Sequence, residues 1–328
     1  MKYHYLSIRW ENDKRMKKIM SMRVRMCNLY FRDAARNEGW EEQNIFLKSQ
    51  NILETLTAHR IKIWAIINGK YNYLRQVELV LTTKCSLRCR DCANLMQYYE
   101  KPYDIELKRV TTAFKKFVRY FDEINTVVLV GGEPLLSKNL TEIILFLADF
   151  HQVNHIHIFT NGTIIPYEKD ICALKNAKVK IIISDYGKLS RNRDNLINWC
   201  KKNKVKYYLK SEDLQWGYVG DMQPRKRTPK MLQKQFRKCN NYCRSILNGK
   251  LFYCPRAAHS DDLGYVKASY DYIDLLNDKV NRSAVMNIVY STTYFAACDY
   301  CNYGTKEMIP IMPGVQMQRS GKENIFEK

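Results

Sequence analysis

Residues 76–92 read Gln76-Val77-Glu78-Leu79-Val80-Leu81-Thr82-Thr83-Lys84-Cys85-Ser86-Leu87-Arg88-Cys89-Arg90-Asp91-Cys92. Val77–Thr82 is a short apolar, β-rich run and predicts a strand. Three cysteines follow it at once in C-x3-C-x2-C spacing. In a βα barrel, the loop after a strand lies at the C-terminal end of the strands, where active sites are built. Three thiolates on one short loop can hold three irons of a [4Fe–4S] cube, leaving the fourth iron without a protein ligand. The competing reading is zinc, whose structural sites take four Cys or His ligands. No fourth ligand stands near this loop in the sequence.

Strand and helix candidates alternate downstream of this stretch. The strands are expected at Val77–Thr82, Thr126–Val130, His155–Thr160, Val179–Ser184 and Val205–Leu209. Helical stretches lie near Leu107–Phe121, Asn139–Phe150, Glu168–Lys175 and Arg191–Lys202. This alternation argues for βαβ units and a parallel sheet. Five strands, with a sixth to be found, suit an open partial barrel of (β/α)6 type better than a closed eight-stranded one. The fold class is therefore α/β.

Residues 1–75 read as a helical extension. Met16, Ile19, Met20, Met26 and Tyr30 recur near helical spacing among basic residues, and Gly39 is a stop. A second helix is expected from Glu41 to Ile67, closed by Asn68-Gly69. A basic amphipathic helix can lie on an anionic membrane, but docking on its own protein is the expectation here. Residues 211–235, with Pro224, Pro229 and Arg225-Lys226-Arg227, read as a linker that closes a barrel unit over 76–235. Arg244–Leu247, Asn248-Gly249 and Lys250–Tyr253 read as a tight hairpin. A helix follows around Lys279–Ala296, so 236–309 forms a small α+β unit, and 310–328 reads as a loose tail.

The chain has 328 residues, 46% hydrophobic and 27% charged, an ordinary globular balance. It holds no apolar run long enough for a transmembrane helix. Lys2, His4, Arg9, Glu11 and Asp13 break up any signal-peptide core, so a cytoplasmic protein is expected. The net charge of +21 admits a nucleic-acid or anionic partner. Basic residues are spread along the whole chain, however, and Lys-rich solvated faces explain them. In a reducing compartment, eleven cysteines point to metal or chemistry rather than disulfides. Cys27, Cys172 and Cys200 stand alone and read as small buried apolar residues.

Spacing and position together resemble the radical S-adenosylmethionine (SAM) superfamily. There, the open iron chelates the amino and carboxylate groups of the cofactor's methionine moiety. Many members carry an aromatic residue just before the third cysteine, to contact adenine; here that position is Asp91. Three later segments agree in order and placement. Gly131-Gly132-Glu133-Pro134 ends the second strand and resembles the family's GGEP segment. Its glycines permit close backbone approach, and the resemblance gives Glu133 the cofactor's ammonium group. Thr160-Asn161-Gly162 resembles the family's turn after the third strand. Ser184-Asp185 ends the fourth, where the family places polar contacts to ribose or carboxylate. The resemblance covers roughly residues 76–210.

Cys239, Cys243, Cys254, Cys298 and Cys301 form a second group. The hairpin between Cys239 and Cys254, and the later C-x2-C pair, resemble the twitch extension, a shortened SPASM domain. Such extensions carry one auxiliary [4Fe–4S] cluster on four cysteines. Five candidates compete for four places, and Cys239 and Cys243 compete for the first. A structural zinc is the alternative for the same thiolates. No cysteine follows Cys301, unlike the C-x2-C-x13-C arrangement of the molybdopterin-precursor cyclases. Arg256 and His259 follow Cys254 and either face substrate or make ordinary contacts around a cluster.

The resemblance implies SAM and two clusters as cofactors. A reduced first cluster cleaves SAM to methionine and a 5′-deoxyadenosyl radical, which removes a hydrogen atom from substrate. The auxiliary cluster then takes an electron, for a net oxidation. The implied partners are a small-molecule substrate and a one-electron donor such as flavodoxin or ferredoxin, with no nucleic acid. The substrate expected is a sugar, aminocyclitol or nucleotide sugar. Maturation of a ribosomally made peptide is an alternative, and a zinc-bound nucleic-acid-binding protein is a third reading from another class.

Overall fold

The computed structural model describes residues 22–30, 32–33, 59–210, 216–239 and 243–317. β1 (Tyr73–Thr82), β2 (Glu123–Gly131), β3 (Val153–Thr160), β4 (Val179–Ser184) and β5 (Tyr207–Lys210) pair in sequence order, all parallel. The crossovers carry α1 (Leu107–Val118), α2 (Leu140–Ala148), α3 (Ile171–Leu174) and α4 (Arg193–Asn203). Alternation along the strands explains the layering. Val77, Leu79 and Leu81 of β1 are fully buried in the core, as are Phe114 and Phe117 of α1. Each such side chain stabilises the fold by about 1.5–3 kcal/mol. The other row, including Gln76, Glu78, Val128 and Phe159, lines an interior cavity.

The sheet does not stop at β1. β7 (Arg244–Leu247) pairs with it in parallel, and β8 (Lys250–Phe252) and β9 (Tyr272–Asp274) continue antiparallel. The order is β5-β4-β3-β2-β1-β7-β8-β9. The sixth parallel strand thus comes from the hairpin and sits beside β1, not after β5. Asn248 and Gly249 both have positive φ, 51° and 88°, the geometry of a tight type I′ turn. Three helices flank this part: α5 (Pro229–Lys238), α6 (Pro255–Asp262) and α7 (Arg282–Val289). α7 is shorter than expected, capped by Asn281, whose Oδ1 accepts from the Ala284 N–H at 3.0 Å.

Several expectations need correction. The described part of the expected 211–235 linker, residues 216–235, is not one. β6 (Trp216–Gly217) pairs with β10 (Pro310–Ile311), and Pro229 opens α5 behind the Thr228 cap. A proline at the first helical position starts a helix, because its missing N–H would have no partner there. The basic run is tied inward: Arg227 bonds the Cys301 carbonyl at 2.9 Å and pairs with Glu307 at 2.7 Å. Residues 310–317 are not a loose tail, since they carry β10 and a bridge from Gln316 to Cys89. Cys172 is exposed, whereas Cys200 is buried as expected. β1 begins at Tyr73, inside the extension assigned to 1–75.

Within that extension, residues 22–30 and 59–67 are helical, while 1–21 and 34–58, with Gly39, lie outside the described residues. The described part docks on its own protein. Met26 and Tyr30 are buried, and Arg23 donates to the Ile66 carbonyl at 2.7 Å. Asp33 accepts from the Tyr73 hydroxyl at 2.5 Å. No helix among the described residues is long and apolar enough to cross a membrane.

Candidate functional site

The cysteine loop leaves the C-terminal end of β1, and the end of β2 clamps its start. The Gly132 N–H donates to the Thr82 carbonyl at 2.9 Å, and the Glu133 N–H to the Lys84 carbonyl at 2.8 Å. A side chain at Gly132 would meet the Lys84 oxygen at 2.2 Å and the Cys85 Cβ at 2.7 Å. Only glycine lets the two segments approach so closely. Cys85, Cys89 and Cys92 line one wall of a cavity of about 650 Å³. Burial, the largest influence on each, pushes the Cys85 thiol up to about 12 and the Cys89 thiol up to about 11, and raises Cys92. Such thiols ionise when a metal centre supplies the positive charge.

The cavity also receives Gly131, Gly132, Asn161 and Ser184 from successive strand ends. Asn161 braces the loop through Ser86, its Nδ2 donating to the Ser86 Oγ at 3.0 Å. Glu133, Pro134 and Asp185 are placed differently. Glu133 is fully buried away from the cavity, and its carboxylate accepts the Asn161 N–H at 2.9 Å and the Leu135 N–H at 3.1 Å. Burial, partly offset by those bonds, pushes it up to about 7. Pro134 is buried in the same turn. Asp185 pairs with Arg193 at 2.7 Å and accepts the Gly187 N–H at 2.9 Å, which anchors the loop after β4. These three shape the walls and do not line the cavity.

Sequence reading missed several lining residues. Tyr186 and Trp216 stand edge to face, ring centroids 5.7 Å apart. They supply aromatic surface that Asp91 does not. Gln76, Glu78 and Lys210 form a polar floor. The Glu78 carboxyl hydrogen-bonds the Cys243 thiol and keeps its Oε2 buried without a hydrogen-bond partner. The alternating side-chain pattern of a strand predicts this inward row once β1 is known to start at Tyr73.

The second cysteine group divides. Cys254 is influenced by Cys298, Cys301 and Cys239, and Cys298 by Cys301 and Cys239. Three of these thiols accept backbone N–H groups: Cys254 from Ala257 at 3.4 Å, Cys298 from Phe295 at 3.5 Å and Cys301 from Tyr303 at 3.4 Å. Cys243 instead lines the large cavity, where Gln76 Nε2 donates to its sulfur at 3.0 Å. The donor sets suit two thiolate-bound groups, Cys85, Cys89 and Cys92 for one and Cys239, Cys254, Cys298 and Cys301 for the other. Among the described residues, no three His, Cys, Asp or Glu side chains gather closely enough for a single ion. Arg256 bonds the carbonyls of Gly220, Asp221 and Tyr300, and His259 contacts Tyr99 at 2.9 Å. Both make internal packing contacts.

Residues 79–185 match the model of the Radical SAM superfamily. They are a radical SAM domain. This domain's matched span runs from β1 through the end of β4, so it contains the cysteine loop and all the strand-end segments above. The radical SAM family uses a [4Fe–4S] cluster and SAM. GTP 3′,8-cyclase of Campylobacter jejuni subsp. doylei is 32% identical over 117 residues, 34% of this chain and 33% of that protein. GTP 3′,8-cyclase of Aquifex aeolicus is 30% identical over 131 residues, 38% of this chain and 39% of that one. The chain thus spans about a third of the length of the curated relatives it matches. Among solved structures, BtrN in complex with AdoMet and 2-DOIA aligns with TM-score 0.40 at 18% identity, covering 72% of this chain and 97% of that one. Streptococcus suis SuiB bound to S-adenosylmethionine aligns with TM-score 0.34 at 15% identity, covering 51% and 39%.

Proposed function

We propose that this chain is a radical SAM oxidoreductase acting on a small polar substrate of the sugar, aminocyclitol or nucleotide-sugar class. One observation carries the reading: a single cavity is lined both by the three loop cysteines and by the polar floor of Gln76, Glu78 and Lys210. Its volume of about 650 Å³ lies within the range of small-ligand sites. A reaction at the cysteine loop would therefore reach a molecule held on that floor.

When bound, a cluster on Cys85, Cys89 and Cys92 would supply one-electron reductive cleavage of SAM, and a cluster on Cys239, Cys254, Cys298 and Cys301 would accept one electron from the substrate after a hydrogen atom has been removed from it. The chain's own residues do the positioning. Cys85, Cys89 and Cys92 would hold that first cluster through three of its irons. The backbone of Gly131 and Gly132 would border the cofactor's methionine moiety, and Asn161 and Ser184 would offer it polar atoms at the strand ends. Tyr186 and Trp216 provide a face for the adenine. The unpartnered Glu78 Oε2 accepts from a substrate hydroxyl or amine, since a buried oxygen without a donor is costly. Lys210 offers the opposite charge to an acidic substituent. Val128, Val130 and Phe159 keep water from the reacting carbon. Cys239, Cys254, Cys298 and Cys301 carry the auxiliary cluster. A flavodoxin or ferredoxin is the electron donor.

The test is anaerobic reconstitution followed by reduction with SAM present. Release of 5′-deoxyadenosine and methionine is expected, even slowly without substrate. S-adenosylhomocysteine without deoxyadenosine would point to methyl transfer and sink the reading. Cys298→Ala with Cys301→Ala should abolish product while sparing uncoupled cofactor cleavage. A folded double variant that turns over at the normal rate would remove the electron-acceptor role.

A further inference from the structure

We propose that Gln316 orients Cys89 and sets the reduction potential of the cluster carried by Cys85, Cys89 and Cys92; this rests on the functional reading of that loop. Residues 310–317 leave the C-terminal part through β10 and then run antiparallel to the cysteine loop. The Arg90 N–H donates to the Val315 carbonyl at 2.7 Å, and the Met317 N–H to the Arg88 carbonyl at 2.8 Å. Between these two bonds the Gln316 side chain turns into the loop. Its Oε1 accepts the Arg88 N–H at 2.7 Å, and its Nε2 donates to the Cys89 sulfur at 3.2 Å. The same Nε2 donates to the Gly314 carbonyl at 2.6 Å.

Three partners therefore fix which way the carboxamide points. Reversed, it would set its oxygen against the sulfur and the Gly314 carbonyl, and its N–H groups against the Arg88 N–H. An amide's orientation is assigned from just such a network. The donor is thus held on the sulfur of a residue that is itself buried, with 7% of its surface exposed. Reducing a cluster adds a negative charge that spreads onto its ligand sulfurs. A fixed N–H on one sulfur favours the reduced form more than the oxidised one, so hydrogen bonds to the sulfurs raise the potential. Gln316 is thereby a positioning residue acting through Cys89. It reaches the site from more than 220 positions away in sequence.

The experiment uses the full chain, anaerobically reconstituted, with two substitutions. Gln316→Leu removes the donor at similar volume. Gln316→Glu keeps an acceptor for the Arg88 N–H and sets an anionic oxygen against the sulfur. The readout is a redox titration followed by electron paramagnetic resonance, restricted to the cluster whose signal changes on adding SAM. Both variants are expected to titrate at more negative potential than wild type, the Glu variant furthest. Unmoved midpoints in both, with a responsive signal present, overturn this proposal alone. So does loss of the responsive cluster from the Glu variant with unchanged circular dichroism, because the residue then serves assembly rather than potential. A wild-type protein with no SAM-responsive signal overturns the functional reading and this one with it.

Discussion

A buried thiol beside a carboxylate keeps its proton, and Cys243 is in that position. Burial, then the charge of the Glu78 carboxyl beside it, holds its pKa well above the ordinary thiol range. Cys239, Cys254, Cys298 and Cys301 instead lie close enough to influence one another's charge, and three of them accept backbone N–H groups. Cys243→Ala is therefore expected to retain about eight irons, two four-iron groups, whereas Cys239→Ala retains about four. Iron analysis of the two purified variants checks this, and an equal loss from both would put Cys243 back among the ligands. Glu133 makes a second case. Glu133→Gln should lower stability by about 1–3 kcal/mol, because one of the buried N–H groups of Asn161 and Leu135 loses its acceptor. Urea unfolding measures that; an unchanged midpoint would mean the carboxylate is not what holds this turn. Its neighbours were legible in sequence as a strand-end turn. Which side of the turn the carboxylate takes was not, because a Gly-Gly turn can present either face to a cavity and the choice depends on what lies across it.

The central strands were legible as elements because Val77–Thr82, Thr126–Val130 and Val179–Ser184 are apolar runs bounded by polar turns, a local signal. The short strands β6 and β10 were not, because two-residue strands exist only through each other, across more than ninety positions. Pro229 misled for a different reason: it stops a helix from the inside and starts one from the first position. The hairpin β7–β8 was read correctly and can be tested. A side chain at Gly249, where φ is 88°, would meet Leu276 at 2.6 Å. Gly249→Ala should cost about 1–2 kcal/mol from backbone conformation alone, read as a lower urea midpoint. A second test concerns α6. His259 is fully buried on that helix, and burial lowers its pKa to about 3. The unfolded chain then takes up the proton first as pH falls. The stability this gives is present above about pH 6.5 and is lost progressively towards pH 3. Between pH 6.5 and pH 5 the loss amounts to about 2 kcal/mol. His259→Gln should flatten that part of a plot of unfolding free energy against pH; a slope identical to wild type would rule out this histidine as its source.

Barrel and C-terminal part share one sheet, and β1 lies inside it, paired with β2 on one edge and β7 on the other. Side chains stitch the same seam: Lys116 donates to the Leu276 carbonyl at 2.8 Å, Tyr120 to the Val280 carbonyl at 2.9 Å, and Arg282 to Asn72 at 2.7 Å. The two parts are expected to unfold together, as one calorimetric transition with equal van't Hoff and calorimetric enthalpies. Two resolved transitions would mean the seam is weaker than its bonds suggest. A division at residue 235, legible from composition alone, missed this because it marks a change of residue type and not a break in the sheet. The seam also has a consequence in time. β1 meets its β7 partner at Arg244, about 170 positions later. At the ribosome's roughly 5–20 residues per second, one edge of the strand that launches the cysteine loop stays bare for roughly ten to thirty seconds after it is made. An open strand edge is a template for the wrong neighbour. Slower growth at low temperature, or a holdase present during synthesis, is therefore expected to raise the yield of monomeric protein.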